Sequence, residues 1–77
     1  MERAYEEVID FIAGGTTPDK IIVFRPSEAS KARVSGLIYK SKNASISSEE
    51  KDELSHYMQL EHLMRLAKAR AQQYVVQ

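Results

Sequence analysis

The two histidines, His56 and His62, are the first side chains to consider for metal or acid–base chemistry. They lie six positions apart in a segment that we predict to be helical, so their side chains diverge by about 120°. Helices that bind a metal through histidine use His-x-x-x-His or Glu-x-x-His spacings, and neither spacing occurs here. The sequence therefore predicts no metal site and no metal cofactor.

Nucleophilic catalysis would need an activated serine or threonine beside a base and an orienting acid. The serines of the predicted loops are better explained as helix caps, whose side-chain oxygens accept free backbone N–H groups. Gly14 and Gly15 precede a helix start but lack the lysine and the spacing of a phosphate-binding loop. We predict no catalytic residue, no cofactor-binding residue and no enzymatic activity. The serines concerned are Ser27, Ser45, Ser47 and Ser48.

The middle of the chain has a basic segment that could contact nucleic acid, because residues 29–45 contain basic side chains and no acidic one. So few charges would give only weak, salt-sensitive contact with phosphates. Glu28 and Ala29 stand where a base-contacting helix needs Arg or Asn. We therefore favour a solvated basic face over a DNA-binding one. The nucleic-acid candidates are Lys31, Arg33, Lys40 and Lys42.

A single long helix is predicted over residues 48–75. Ser47 stands three residues before Glu50, the spacing of a reciprocal cap in which each side chain accepts the other residue's backbone N–H. The segment contains no Gly or Pro and is rich in residues that favour helices. At about 1.5 Å per residue the helix is roughly 42 Å long, whereas a compact domain of this size is about 30 Å across. We expect it to overhang its own domain.

An apolar stripe runs along this predicted helix, from Tyr57 to Tyr74, at the alternating steps of three and four that are typical of a coiled-coil seam. Its apolar residues would face water unless a second chain covers them. The sequence therefore predicts a homodimer formed through the long helix. The predicted interface residues are Leu60, Leu63, Met64, Ala67, Ala71 and Tyr74.

Three shorter helices are predicted over residues 3–13, 18–24 and 27–42. The run from Ile21 to Phe24 is also rich in β-branched residues, but a lone strand would leave its backbone unpaired. The fold class is therefore all-α, with three short helices packed on one long C-terminal helix in a single domain of residues 1–77.

Two details of the third helix follow from residue type. Asn43 is expected to end it in the left-handed conformation. Gly36, inside the helix, is expected to mark a close contact with another helix, since glycine otherwise costs about 1 kcal/mol there relative to alanine.

Composition limits the remaining functions. The 77 residues suffice for one domain, and 11 basic and 11 acidic side chains cancel, so no global charge attracts nucleic acid or an anionic membrane. The chain has no cysteine, which favours a reducing, cytoplasmic compartment. No apolar run approaches the roughly 20 residues that span a bilayer, so we predict no membrane partner.

Three stretches, Phe11–Pro18, Phe24–Glu28 and Tyr57–Arg70, resemble a family of small uncharacterised cyanobacterial-type helical proteins. The resemblance covers nearly the whole chain and supplies no catalytic residue. Members of such families are encoded near nuclease-like or toxin-like proteins. The resemblance therefore implies an antitoxin-like or accessory role, with a toxin or nuclease as protein partner and weak operator DNA binding through residues 27–42.

Overall fold

A computed structural model describes residues 3–75, and the predicted domain of residues 1–77 extends two residues beyond this part at either end. The predicted all-α fold is confirmed, with no strand among the described residues. The molecule is elongated, with principal extents of 48 × 21 × 19 Å. The four helices are α1 (Glu6–Ala13), α2 (Pro18–Val23), α3 (Glu28–Lys42) and α4 (Ser48–Val75).

Helix α4 is the element on which the others assemble, and it has the predicted bounds. The predicted reciprocal cap is present at its start. The Ser47 N–H donates to Glu50 Oε1 at 3.1 Å, and the Glu50 N–H donates to Ser47 Oγ at 3.1 Å. This cap satisfies two backbone groups that would otherwise have no partner, so the helix starts at one defined residue.

Helix α3 packs on the N-terminal half of α4. Its predicted cap is confirmed, because the Ser30 N–H donates to Ser27 Oγ at 3.1 Å. Val34 and Leu37 are buried, and Val34 clusters with Tyr57 of α4 and with Ala4. Ala4 is thus enclosed in the core between α3 and α4.

Helix α2 packs on the C-terminal half of α4. Lys68 Nζ of α4 donates to the carbonyl of Phe24, the residue that ends α2, at 2.7 Å. The Phe24 ring in turn packs on Phe11, with ring centroids 4.4 Å apart. Ala71 is only 3% exposed, so the chain's own helices cover α4 almost to its end. The expected long overhang is wrong, and only the last turn, with Tyr74, projects.

One helix start differs from its prediction. Helix α1 begins at Glu6 and not at residue 3, because the N–H of Arg3 is bound by the Glu6 side chain at 2.8 Å and that of Ala4 by Glu53 at 3.0 Å. At the start of α2, the Thr17 side chain accepts no backbone N–H and donates to Asp19 Oδ1 at 2.6 Å. This hydrogen bond lowers the pKa of the Asp19 carboxyl.

Two details of α3 also differ. Asn43 is not left-handed, and the positive φ of 57° belongs to Ala44. The Asn43 side chain instead donates to the Tyr39 carbonyl at 2.8 Å, which satisfies a free group at the helix end. Gly36 marks no close contact, since a Cβ built there would meet no atom within 4 Å.

Within residues 3–75, no helix combines the length and the apolar character needed to cross a membrane.

Candidate functional site

The six predicted interface residues fall into three groups in the structure. Met64 and Ala71 are buried, at 6% and 3% exposure, by the chain's own short helices. Leu60 and Ala67 are half-buried at the edge of this packing. The last two, Leu63 and Tyr74, are exposed. The apolar stripe that includes Met64 and Ala71 is therefore the seam that holds α4 to the rest of one chain, and these two residues offer no free surface.

An exposed apolar strip lies beside that seam, and we call it the α4 flank. It consists of Leu63, Leu66 and Tyr74, which are 53%, 57% and 63% exposed. At 100° per residue these side chains fall within about 80° of one another around the helix. The half-buried Leu60 and Ala67 border them. The α4 flank thus presents apolar side chains over about three turns of the helix, interrupted by the exposed Arg70.

An acidic and a basic side chain lie in line with the α4 flank. Asp52 and Arg70 are both exposed. They are 18 residues apart, which is about five full turns, so they lie on the same side of the helix as Leu63. Asp52 therefore lies about three turns before the α4 flank, and Arg70 lies within it, between Leu66 and Tyr74.

A second surface feature, which we call the apolar groove, lies on the other side of α4. It has a volume of about 290 Å³ and is formed where α1, the segment after α2, and α4 meet. Its apolar lining residues are Val8, Phe24, Pro26, Tyr57 and Met64.

Four charged side chains also line the apolar groove, and three of them are cationic: Lys31, Arg65 and Lys68, with Glu61 as the anion. Arg65 pairs with Glu61 at 3.0 Å, as its i, i+4 spacing predicts, in a pair that is exposed on both sides. Lys31 lies 3.4 Å from the exposed Glu28. Exposed pairs of this kind contribute only about 0–1 kcal/mol, so these cations can turn to another anion at low cost.

The Tyr57 hydroxyl is a further polar group of the apolar groove. It forms no hydrogen bond within residues 3–75, and every fully enclosed side-chain nitrogen or oxygen of these residues has a partner. The Tyr57 oxygen is therefore not fully enclosed, and Tyr57 is one of the residues that line the groove. Burial raises the pKa of Tyr57, and the charges of Glu61 and Glu7 add to the effect. The hydroxyl thus stays protonated and can donate a hydrogen bond.

The four nucleic-acid candidates are not a free set of cations. Arg33 is paired with Glu53 at 2.9 Å, and Lys40 is paired with Glu50. The hydrogen bond from Lys40 is the largest cause that lowers the pKa of Glu50 to about 2, and the hydrogen bond from Arg33 lowers the pKa of Glu53 despite its burial. Among the four, Lys42 and Lys31 lie exposed on α3. Binding of nucleic acid stays a prediction, with fewer free charges to support it.

Neither histidine lines the apolar groove. The His56 ring packs on Tyr5, with ring centroids 5.2 Å apart and an interplanar angle of 56°. His62 is exposed. In the part of the chain that the structure describes, no three His, Cys, Asp or Glu side chains are grouped as metal ligands.

Leu66 and Glu53 are two residues that the list of predicted sites left out. Leu66 is apolar but lies off the seam, and the heptad pattern alone gave it no role. Glu53 stands four residues before Tyr57, on the buried side of α4, and is 5% exposed. A carboxylate at an apolar position of a helical stripe is the signal for a buried ion pair.

Comparison of the chain with models of known protein families, with curated proteins and with solved structures found no match. The family resemblance and the antitoxin-like role that it implies stay predictions, since nothing in these comparisons bears on them.

Proposed function

We propose that this protein is a non-enzymatic helical interaction module that forms a homodimer through the α4 flank. The observation that supports the proposal is the exposure of Leu63, Leu66 and Tyr74 on one side of a single helix. Isolated exposed apolar residues need no explanation, but several exposed apolar side chains on one side of a helix are typical of a surface that another protein covers.

The energy available from this strip is sufficient for weak to moderate association. Full burial of a leucine side chain is worth about 1.5–3 kcal/mol, and a symmetric pair buries Leu63 and Leu66 twice. Part of this gain offsets the lost freedom of two separate molecules. A chain of 77 residues also buries a smaller share of its surface than a larger domain does, so association adds to a small core.

A second copy of the chain is the partner that the charges favour. Asp52 and Arg70 lie on the flank side of α4, on either side of Leu63. If two α4 helices cross antiparallel near Leu63, Asp52 of each chain lies towards Arg70 of the other. The surface is therefore complementary to itself, as the interface of a twofold-symmetric dimer must be.

Sedimentation equilibrium of the full chain and two variants tests the proposal. We expect the wild type to be a dimer at tens of micromolar and Leu63→Lys to be a monomer, because a lysine in the centre of the strip must be desolvated without a partner. Met58→Lys is the matched control, since Met58 is also exposed but lies about 140° from Leu63 around the helix. A monomeric wild type, or equal masses for the wild type and Leu63→Lys, would contradict the proposal.

A further inference from the structure

We propose that the apolar groove is a binding site for a small organic carboxylate with an apolar body, such as a medium-chain fatty acid. The groove and the α4 flank are on different sides of α4, so this inference does not depend on the homodimer. The apolar groove is proposed to bind a small ligand, whereas the α4 flank is proposed to bind a second copy of the chain.

The walls of the apolar groove suit an apolar body. Two aromatic rings, the Pro26 ring and two aliphatic side chains surround the space. Phe24 is held in place at one wall, because its ring packs on Phe11 and its carbonyl accepts a hydrogen bond from the Lys68 ammonium group. Tyr57 and Met64 are buried core residues, 6% exposed each. The floor is therefore part of the core and keeps its shape without a ligand, as most ligand sites do.

The charges around the groove select an anion. Three cations and one carboxylate line it: Lys31, Arg65 and Lys68 against Glu61. Lys31 is also paired with Glu28 outside the lining, which leaves an excess of one positive charge. The fourth donor is the Tyr57 hydroxyl, which is protonated and has no partner in residues 3–75. An arginine, two ammonium groups and a phenol are all donors to a carboxylate, and hydrogen bonds to a charged acceptor are stronger than neutral ones.

The size of the groove favours a small ligand over a folded partner or a helix. Its volume of about 290 Å³ lies at the lower end of the range of ligand pockets, about 300–1,000 Å³. A single alkyl chain or one aromatic ring fills such a space, and a carboxylate at its end stays at the charged rim. A peptide would place polar backbone groups against apolar walls that offer few partners.

An NMR titration of the ¹⁵N-labelled full chain with octanoate, kept below its micelle concentration, tests the proposal. We expect saturable shifts of the amides of Tyr57, Met64 and Lys68. Octylamine has the same alkyl chain with the opposite charge, and octanol has it without charge, so we expect both to bind at least about tenfold more weakly. The acetylated tripeptide Glu-Leu-Leu is the peptide competitor, and we expect it to be weaker than octanoate.

Variants then separate the groove from the rest of the surface. Arg65→Gln and Tyr57→Phe each remove a donor with little change of shape, and we expect either to weaken octanoate binding by about three- to tenfold. Lys51→Gln is the matched control, because it removes an exposed cation of α4 that does not line the groove. We expect Lys51→Gln, and Leu63→Lys on the opposite flank, to bind octanoate as the wild type does.

Four outcomes would overturn the inference. These are no saturable shift with octanoate, equal binding of octanol, tighter binding of the tripeptide, and equal losses in Arg65→Gln and Lys51→Gln. Circular dichroism of each variant shows whether its helices are intact, and Arg65, being exposed, is not required for the core.

Discussion

Arg33 of α3 donates two hydrogen bonds to the carboxylate of Glu53 of α4, from Nε at 3.0 Å and from a terminal guanidinium nitrogen at 2.9 Å. Glu53 Oε2 also accepts the backbone N–H of Ala4 at 3.0 Å. One buried carboxylate therefore joins Ala4, α3 and α4. It also withdraws Arg33 from the basic face that the sequence suggests, so the ion pair shapes both the fold and the surface.

Glu53→Gln is expected to destabilise the fold by about 2 kcal/mol, because it leaves a partly buried guanidinium without its counter-charge. Urea unfolding measures the free energy of unfolding. The control is Glu61→Gln, which breaks the exposed pair with Arg65 and should cost no more than about 0.5 kcal/mol. Equal losses of unfolding free energy in the two variants would mean that burial does not make the Glu53–Arg33 pair more stabilising than an exposed pair.

Acid is expected to destabilise the fold between pH 4.5 and about 2. The pKa of Glu50 falls from 4.5 to about 2 on folding, chiefly through the hydrogen bond from Lys40, and the pKa of Glu53 also falls. A carboxylate with a lowered pKa in the folded state stabilises it above the unfolded pKa and loses this contribution as the pH drops through the folded value.

Urea midpoints measured across that pH range, for the wild type and for Glu50→Gln, test this dependence. We expect a shallower slope for Glu50→Gln, because the amide does not titrate. Identical slopes for the two proteins would show that Glu50 does not have the low pKa.

Two glycines are expected to respond to alanine substitution with opposite signs. Gly15 has a φ of +85°, so Gly15→Ala should destabilise by about 1 kcal/mol, the cost of placing a side chain in the left-handed region. Gly36 lies inside α3 with open space around it, so Gly36→Ala should stabilise by about 0.5–1 kcal/mol through helix propensity. Thermal unfolding of both variants shows whether each substitution raises or lowers the stability of the fold. Destabilisation by Gly36→Ala would contradict the open space around Gly36.

The antiparallel orientation of the proposed dimer is expected to couple Asp52 and Arg70. Asp52→Arg and Arg70→Asp alone should each weaken the dimer by a few fold, since each places like charges together at both ends of the interface. The double variant should recover much of the loss, because it restores opposite charges at each end. Sedimentation gives the dissociation constants of the wild type, the two single variants and the double variant. Additive losses of dimer affinity in the double variant would argue against the antiparallel pairing.

The local features of the fold were predictable from sequence, because each depends on residues close together in the chain. The cap formed by Ser47 and Glu50 needs residues three positions apart, and the helix bounds of α4 follow from it. The left-handed residue after α3 was misplaced by one position, because the Asn43 side chain has an alternative partner in the Tyr39 carbonyl.

The surface of α4 was only partly predictable. Spacings of three and four identify an amphipathic helix, but they do not say whether its partner belongs to the same chain. Met64 and Ala71 on the seam are covered by the chain's own helices, whereas Leu63 and Leu66, on the neighbouring side, are not. That distinction depends on where α2 and α3 pack, which is information from distant parts of the sequence. The groove likewise exists only once α1, the segment after α2, and α4 meet.

The most direct measurement of the α4 flank is an isotope-filtered NMR experiment on an equimolar mixture of labelled and unlabelled chains, which detects only contacts between copies. The proposed homodimer predicts intermolecular contacts from the Leu63 and Leu66 methyl groups and the Tyr74 ring, and none from the Met58 methyl group. The absence of intermolecular contacts at concentrations of hundreds of micromolar, or contacts from Met58 and not from Leu63, would contradict it.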